Sequence, residues 1–304
     1  MRRSIGTTVL LGVALMGSVW LLRESALGTR ALWAADRVSH AAFSVAERVF
    51  HRGDGAAHEA HVVYEVREQA RERGAPEEAE FAWSGRLDQG DVVEVRGLNG
   101  KIRAQATDGS EVEVHAIKRS RSGDVSDVRV EVREHAGGIT VCAVYDTWDG
   151  CDDGNRRGGR NRDVQVEFDI QVPDGVRFSA ASVNGGIEVE GGIDDVEASA
   201  VNGSVEIESE GSLRAESVNG SVRARLLGAA LSGPVHVSTV NGAVELDLPD
   251  EANADLEATW VNGSFASDLP VTLQSKGKRN ARGLLGAGGE RVEVETVNGR
   301  IRIH

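Results

Sequence analysis

Few side chains in this sequence could do covalent chemistry, and the two cysteines are the first candidates. Cys142 and Cys151 are separated by eight residues. The N-terminal residues described below predict export, and in an exported protein such a pair forms a disulfide by default. The spacing is not the Cys-x-x-Cys of a redox-active pair. We therefore predict a Cys142–Cys151 disulfide that staples the polar loop 146–163. The competing interpretation is two thiols too far apart to bond.

An acidic loop surrounds the second cysteine. Its aspartates are Asp146, Asp149, Asp152 and Asp153. Oxygen-rich loops can hold calcium, but the EF-hand spacing and its closing glutamate are absent here. We favour a solvated acidic loop and predict no metal site, while calcium binding by residues 146–153 stays open at this stage.

Rows of carboxylates offer a second kind of chemistry if the segments that carry them stack. One outward row would be Glu188, Glu206, Arg223 and Glu245, and another would be Glu197, Arg214, His236 and Glu257. Paired carboxylates can cleave glycosidic bonds, so a polysaccharide-active enzyme is one alternative. A charged face exposed to solvent is the interpretation that we favour.

The remaining motifs carry no catalytic signal. His58 and His61 lack the helical spacing of a zinc protease, and no Gly-x-Ser-x-Gly elbow occurs. The glycines of 286–289 precede a strand pattern rather than opening a helix, which is typical of a turn and not of a dinucleotide site. We predict no catalytic residue, no cofactor and no enzymatic activity.

Composition narrows the class of protein. The 304 residues carry 34 Lys+Arg against 48 Asp+Glu, a net charge of −14, which argues against a nucleic-acid partner. Aromatic residues make up 4% and glycines number 37, which favours many short strands over a helical globule.

The N-terminus has the pattern of an export signal or an anchor. Arg2 and Arg3 precede residues 5–22, a run of 18 without a charge. As a helix this run would be roughly 27 Å long, close to the hydrocarbon thickness of a bilayer. We expect residues 1–28 to be a signal peptide or a membrane anchor, so that the rest is exported.

The next segment, residues 29–79, differs in pattern from the C-terminal part of the chain. Apolar residues at helical spacing predict an amphipathic helix over 30–52. Residues 65–80 are strongly charged and predict a linker or a short helix.

A repeat organises residues 80–304. The dipeptide Asn-Gly recurs with spacings of 18, 17, 22, 21 and 36 residues from Asn184 onward, as in stacked-repeat proteins. The repeated pairs are Asn99-Gly100, Asn184-Gly185, Asn202-Gly203, Asn219-Gly220, Asn241-Gly242, Asn262-Gly263 and Asn298-Gly299.

Apolar residues alternate with polar ones on both sides of each Asn-Gly, which is strand periodicity. A shift of parity just before each Asn indicates a corner, where glycine permits a positive φ. We predict an all-β fold, a single-stranded parallel β-helix or solenoid whose coils stack and also bury the Val before each Asn. A chain of Asn-Gly hairpins is the alternative, but it would leave that Val on the opposite face.

Four segments carry a resemblance to a known family. They are FAWSGRLDQGDVVEVRGLNGKIRAQ at 81–105, GITVCAVYD at 138–146 with Cys151, the SVNGxIxV units, and GLLGAGGERVEVETVNGRIRI at 283–303. Together they resemble the bacterial "putative adhesin" family, a β-solenoid domain of unknown function similar to the heads of auto-transporter adhesins. The resemblance covers about residues 80–304. It implies a parallel β-helix outside the inner membrane and transfers no catalytic residue.

These observations predict a non-enzymatic envelope protein, an adhesin or surface scaffold in the periplasm or at the cell surface. The expected partner is an envelope component, a glycan or a protein, with membrane attachment through residues 5–22 if that run is retained. Alternatives are the polysaccharide-active enzyme and an envelope-stress sensor that acts through the N-terminal segment.

Overall fold

The computed structural model describes residues 48–49, 62–67, 77–121, 124–145, 163–228 and 230–304. These residues belong to one compact unit, Ser44–His304, and contain nineteen strands and one 3-10 helix, Val125–Asp127. The strands are β1 Arg48–Val49, β2 Val62–Arg67, β3 Glu77–Gly85, β4 Val92–Asn99, β5 Ile102–Thr107, β6 Val112–Ser120, β7 Arg129–His135, β8 Gly138–Val144, β9 Gln165–Pro173, β10 Arg177–Asn184, β11 Ile187–Asn202, β12 Val205–Asn219, β13 Val222–Leu226, β14 Val235–Asn241, β15 Val244–Asp247, β16 Ala254–Ser267, β17 Val271–Lys276, β18 Asn280–Leu285 and β19 Glu290–Ile303.

Parallel stacking of equivalent positions builds a solenoid-like all-β fold. Phe178 of β10 lies beside Val196 of β11, and Asn184 lies beside Asn202. We call a coil the two strand segments that flank one Asn-Gly, and we use the same word for β8 and β9, which pair with β4 and β5. Because every coil places the same residue types at the same rung, like side chains line up along the stack.

The order of the coils in space departs from their order in sequence at both ends. The β4–β5 coil lies between the β8–β9 and β10–β11 coils. At the other end β19 lies between the β14–β15 coil and β16. The expectation that each coil stacks on the next one along the chain is therefore wrong at both ends of the stack.

Antiparallel strands account for this rearrangement. β7 pairs with β8, β6 pairs with β9 and β3, and β18 pairs with β16 and β17. These pairings cover most of the outer edges of the two end coils. Covered edges protect a sheet from pairing with another chain, and the strands that cover them also carry the chain to or from the displaced coils.

Small aliphatic side chains fill the interior, as the alternation predicts. In one coil the buried side chains are those of Val196, Ala198, Ala200, Val205 and Ile207. Full burial of a valine or isoleucine contributes roughly 1.5–3 kcal/mol relative to leaving it exposed. The repeated rows therefore supply the hydrophobic stabilisation of the domain.

The described parts of segment 29–79 are strands and not helix or linker. β1 pairs antiparallel with β2, and β2 pairs antiparallel with β3, which runs across the expected boundary at residue 80. Backbone pairing with β3 outweighs the charge pattern on which the expectation rested. The expected signal or anchor 1–28 and the rest of the expected helix 30–52 lie outside the described residues.

Candidate binding surface: the valine–asparagine ridge

The seven Asn side chains of the repeat lie in one hydrogen-bonded row. Six bonds of 2.8 to 3.0 Å link them, in each of which the Nδ2 of one Asn donates to the Oδ1 of the next. The order is Asn262, Asn298, Asn241, Asn219, Asn202, Asn184 and Asn99. An Asn amide has two N–H donors and two acceptor lone pairs. Each inner Asn therefore keeps one donor and one lone pair for a ligand.

Leu98, before Asn99, is partly buried against the core, but the valine before each of the other six asparagines belongs to a second row beside the first. These side chains are about two-fifths exposed: Val183 38%, Val201 41%, Val218 41%, Val240 39%, Val261 41% and Val297 38%. The expected burial of this valine is therefore wrong. The corner turns over two consecutive residues, so that both the valine and the asparagine point outward. We call the two rows together the valine–asparagine ridge.

Buried hydroxyl groups support the corners from inside, a feature that the sequence reasoning missed. Two positions before Asn219 and Asn241, Ser217 and Thr239 donate to the carbonyl oxygens of Gly203 and Gly220 at 2.9 and 2.8 Å. Thr296 donates in the same way to Gly242 at 3.2 Å. The signal in the sequence was the recurrence of Ser or Thr two positions before Asn, where the alternation predicts a buried residue.

The corner glycines are required by close contact and not by their backbone angle. Only Gly100 of the seven has a positive φ, at 121°, so the expectation of a positive φ is wrong for the others. A Cβ built on Gly220 would lie 2.1 Å from the carbonyl oxygen of Gly203. The Gly220 amide also donates to the Asn241 carbonyl at 3.1 Å. Neighbouring corners are therefore packed backbone against backbone.

At one end of the row a different residue occupies the corner. Tyr145 follows β8, the strand next to β4, and its hydroxyl oxygen lies 3.3 Å from the Asn99 carbonyl oxygen and 3.2 Å from the Val164 carbonyl oxygen, so that its one proton is shared between two acceptors. Burial raises the pKa of Tyr145 to about 12. The tyrosine ties this end of the ridge to the core.

The first expected charged row exists in register. Glu188, Glu206, Arg223 and Glu245 are consecutive neighbours. Arg223 bonds Glu245 at 2.9 Å and approaches Glu206 at 3.4 Å. Hydrogen bonds from Lys101 and then from Arg103 lower the pKa of Glu188. Because a general acid needs a raised pKa, Glu188 is not suited to that role.

The second expected row is interrupted. Glu197, Arg214 and His236 are neighbours, but Glu293 follows His236 and Glu257 comes one coil later. The displaced position of β19 causes this difference. His236 lies 3.5 Å from Glu216 and 3.6 Å from Glu293, and Arg214 forms an ion pair with Glu197 at 3.6 Å.

The other expected sites fall mostly outside the described residues. Cys142 is buried on β8, whereas Cys151, the aspartates of 146–153, His58 and His61 lie outside, so the disulfide stays a prediction. Within the described ranges no three His, Cys, Asp or Glu side chains are grouped to hold a metal. No helix in those ranges is long and apolar enough to cross a bilayer, and residues 5–22 lie outside them.

Several solved structures are similar to this chain. A putative cell adhesion protein from Clostridium sporogenes is 12% identical, with a TM-score of 0.41, and the match covers 75% of this chain and 99% of that one. A putative adhesin from Bacteroides fragilis is 13% identical, with a TM-score of 0.32 and coverage of 74% and 97%. A putative adhesin from Parabacteroides distasonis is 8% identical, with a TM-score of 0.31 and coverage of 74% and 97%.

No curated protein matches the sequence significantly. The model of the Toastrack DUF4097 family matches residues 91–304, which include all seven Asn-Gly corners. This match confirms the resemblance drawn from the repeats and their flanking segments. The chain belongs to the Toastrack DUF4097 family.

Proposed function

We propose that the chain is an exported, non-enzymatic envelope protein that binds a polysaccharide along the valine–asparagine ridge. The observation that carries the proposal is the ridge itself, a row of seven hydrogen-bonded amides with a row of partly exposed valines beside it. Monomeric proteins rarely expose large contiguous apolar patches unless a partner covers them.

The chemistry of the ridge suits a polymer of repeating hydroxyl groups. Stacked coils repeat about every 4.8 Å, and each inner asparagine offers one donor and one acceptor. A sugar hydroxyl both donates and accepts, and the apolar faces of sugar rings can pack on valine. The rigid spacing means that little conformational entropy is lost when the ridge binds.

Export is part of the proposal and rests on residues 1–28. The charged N-terminus followed by the uncharged run 5–22 supports it. Mass spectrometry of the mature chain recovered from the envelope would show whether the run is removed. Recovery of the intact chain from the cytosol would contradict export.

Binding is tested with three valines of the ridge. The full chain and V201S/V218S/V240S are compared on a glycan array and on purified peptidoglycan sacculi. Each lost apolar contact is worth on the order of 1 kcal/mol, so we expect at least a tenfold loss of affinity. The control is Leu227→Ser, which removes an apolar side chain of similar exposure, 43%, away from the ridge.

Two outcomes would overturn the proposal. One is a wild-type chain that binds none of the glycans or sacculi. The other is a triple variant that folds normally and binds as tightly as the wild type. Release of soluble sugar products would instead favour the polysaccharide-active enzyme, for which the ion-paired carboxylates offer no specific support.

A further inference from the structure

One hairpin is basic in a chain that is acidic overall. Between residues 269 and 289, which include β17 and β18, there is no Asp or Glu. The four charged residues there are Lys276, Lys278, Arg279 and Arg282. The segment therefore carries four positive charges in a chain whose net charge is −14. We call residues 271–285 the basic hairpin.

The cations at its tip have no carboxylate beside them in the described part of the chain. Arg282 bonds Glu257 at 3.0 Å, but no carboxylate of the described residues lies within ion-pair distance of Lys276, Lys278 or Arg279. Several arginines elsewhere in the domain lie between two carboxylates, as Arg225 lies 2.9 Å from Glu208 and 3.6 Å from Asp247. The hairpin tip thus presents positive charge that no described carboxylate neutralises.

An apolar side chain accompanies these charges. Leu273 on β17 is 49% exposed, more than any other large hydrophobic side chain in the described ranges. Residues 272–280 are all exposed. A protruding leucine next to such lysines can bury itself among lipid chains while the ammonium groups contact anionic headgroups.

The position of the hairpin allows such contact. β18 pairs with β16, the last coil of the stack, and β17 pairs only with β18 among the described strands. The Gly277 amide donates to the Asn280 carbonyl at 2.9 Å and closes the turn. The hairpin is therefore an ordered element on the end coil, where a flat surface can reach it.

From charge, exposure and position together we propose that the basic hairpin docks this domain on an anionic phospholipid surface. The acidic remainder of the chain is repelled by such a surface, so the hairpin also sets the orientation of the solenoid. This inference is independent of glycan binding at the ridge, and the two surfaces share no residue.

Hydrogen exchange of the full chain tests the proposal. It measures the protection of the hairpin amides themselves, so the result does not depend on whether residues 1–28 attach the chain to the bilayer. The chain is reconstituted in nanodiscs of phosphatidylcholine alone or of phosphatidylcholine with phosphatidylglycerol. We expect exchange in 271–282 to slow about tenfold only in the anionic discs, and the effect to vanish at high salt. Peptides covering 205–207 report on the integrity of the fold.

Matched variants separate the tip charges from general electrostatics. K276Q/K278Q/R279Q should lose the protection, and K276R/K278R should keep it. R86Q/R129Q/R133Q removes as many positive charges at other sites and should also keep it. Equal exchange of the wild type in both lipids would overturn the proposal. Protection by an added acidic polysaccharide but not by anionic lipid would overturn it in favour of a glycan site.

Discussion

Gly203 lies so close to Gly185 of the neighbouring coil that a Cβ on Gly203 would come within 2.1 Å of the Gly185 carbonyl oxygen. No real Cβ tolerates such a contact, and the atom it would meet belongs to the backbone. The same approach recurs at Gly220 and Gly242, each 2.1 Å from the carbonyl oxygen of the preceding corner. The close approach of neighbouring coils at the ridge therefore requires glycine at these corners.

Replacing Gly203 by alanine should push two corners apart. We expect G203A to lower the free energy of unfolding by about 1–3 kcal/mol, the usual cost of overpacking, as measured by urea denaturation. Gly97→Ala is the matched control, because its Cβ would lie 3.4 Å from Ile102 Cδ1, an ordinary contact. Gly97 also occupies the corner position that is alanine at residue 200. Equal stability of G203A and the wild type would contradict this explanation of the glycine row.

The asparagine row predicts that an Asn→Ala substitution in its middle lowers stability more than one at its end. Asn219→Ala removes two side-chain hydrogen bonds, to Asn202 and from Asn241. Asn262→Ala removes only one, to Asn298. With about 0.5–1.5 kcal/mol per bond, and less at an exposed site, N219A should be the less stable variant by about 1 kcal/mol in urea denaturation. The opposite order would show that the row contributes little.

Much of the core could be predicted from the sequence because strand periodicity is local. Val196 and Ala198 before the corner and Val205 and Ile207 after it are buried, as their alternation indicates. The same reasoning brings Glu188, Glu206 and Arg223 into one row, since equal positions of a repeat stack in register.

The incorrect predictions concern features that depend on a neighbouring coil and not on the local sequence. Alternation alone does not show whether Val201 turns inward or outward at a corner, because the parity shift falls within one or two residues. The requirement for Gly203 comes from a carbonyl of another coil and not from its own φ. The position of β19 beside β14 depends on antiparallel strands at the end of the stack, and a repeat pattern carries no information about them.

The buried hydroxyl of Tyr145 predicts a stability that depends on alkaline pH. Its pKa is raised to about 12 by burial, from 10.0. The protein therefore loses stability as the pH rises above 10, where the unfolded state releases the proton first. Tyr145→Phe should be less stable at pH 8 by about 1 kcal/mol, through loss of its hydrogen bonds, and should lose less between pH 9 and 11. Parallel pH curves for the two proteins would contradict this assignment.

The predicted disulfide can be tested by mass. The mature chain should gain two hydrogens on reduction, and peptides containing Cys142 and Cys151 should be joined only without reductant. Closing a loop of this length contributes roughly 2–3 kcal/mol, so C142S/C151S should unfold at correspondingly lower urea concentration. Two alkylatable thiols in protein taken directly from the envelope would show that the bond does not form.

The charged row that contains Glu188 predicts a loss of stability at acid pH, in contrast to the loss at alkaline pH expected from Tyr145. Lys101 and Arg103 lower the pKa of Glu188 below its usual 4.5, so the carboxylate stabilises the fold above that pH. This stabilisation is lost as the pH falls through the lowered pKa of the folded state. Glu188→Gln should cost less than about 1 kcal/mol near pH 7, because the pairs are partly exposed. The difference from the wild type should shrink as the pH falls below 4.5, and 1 M NaCl should reduce it at neutral pH. A difference that acid pH leaves unchanged would show that Glu188 acts through packing rather than through its charge.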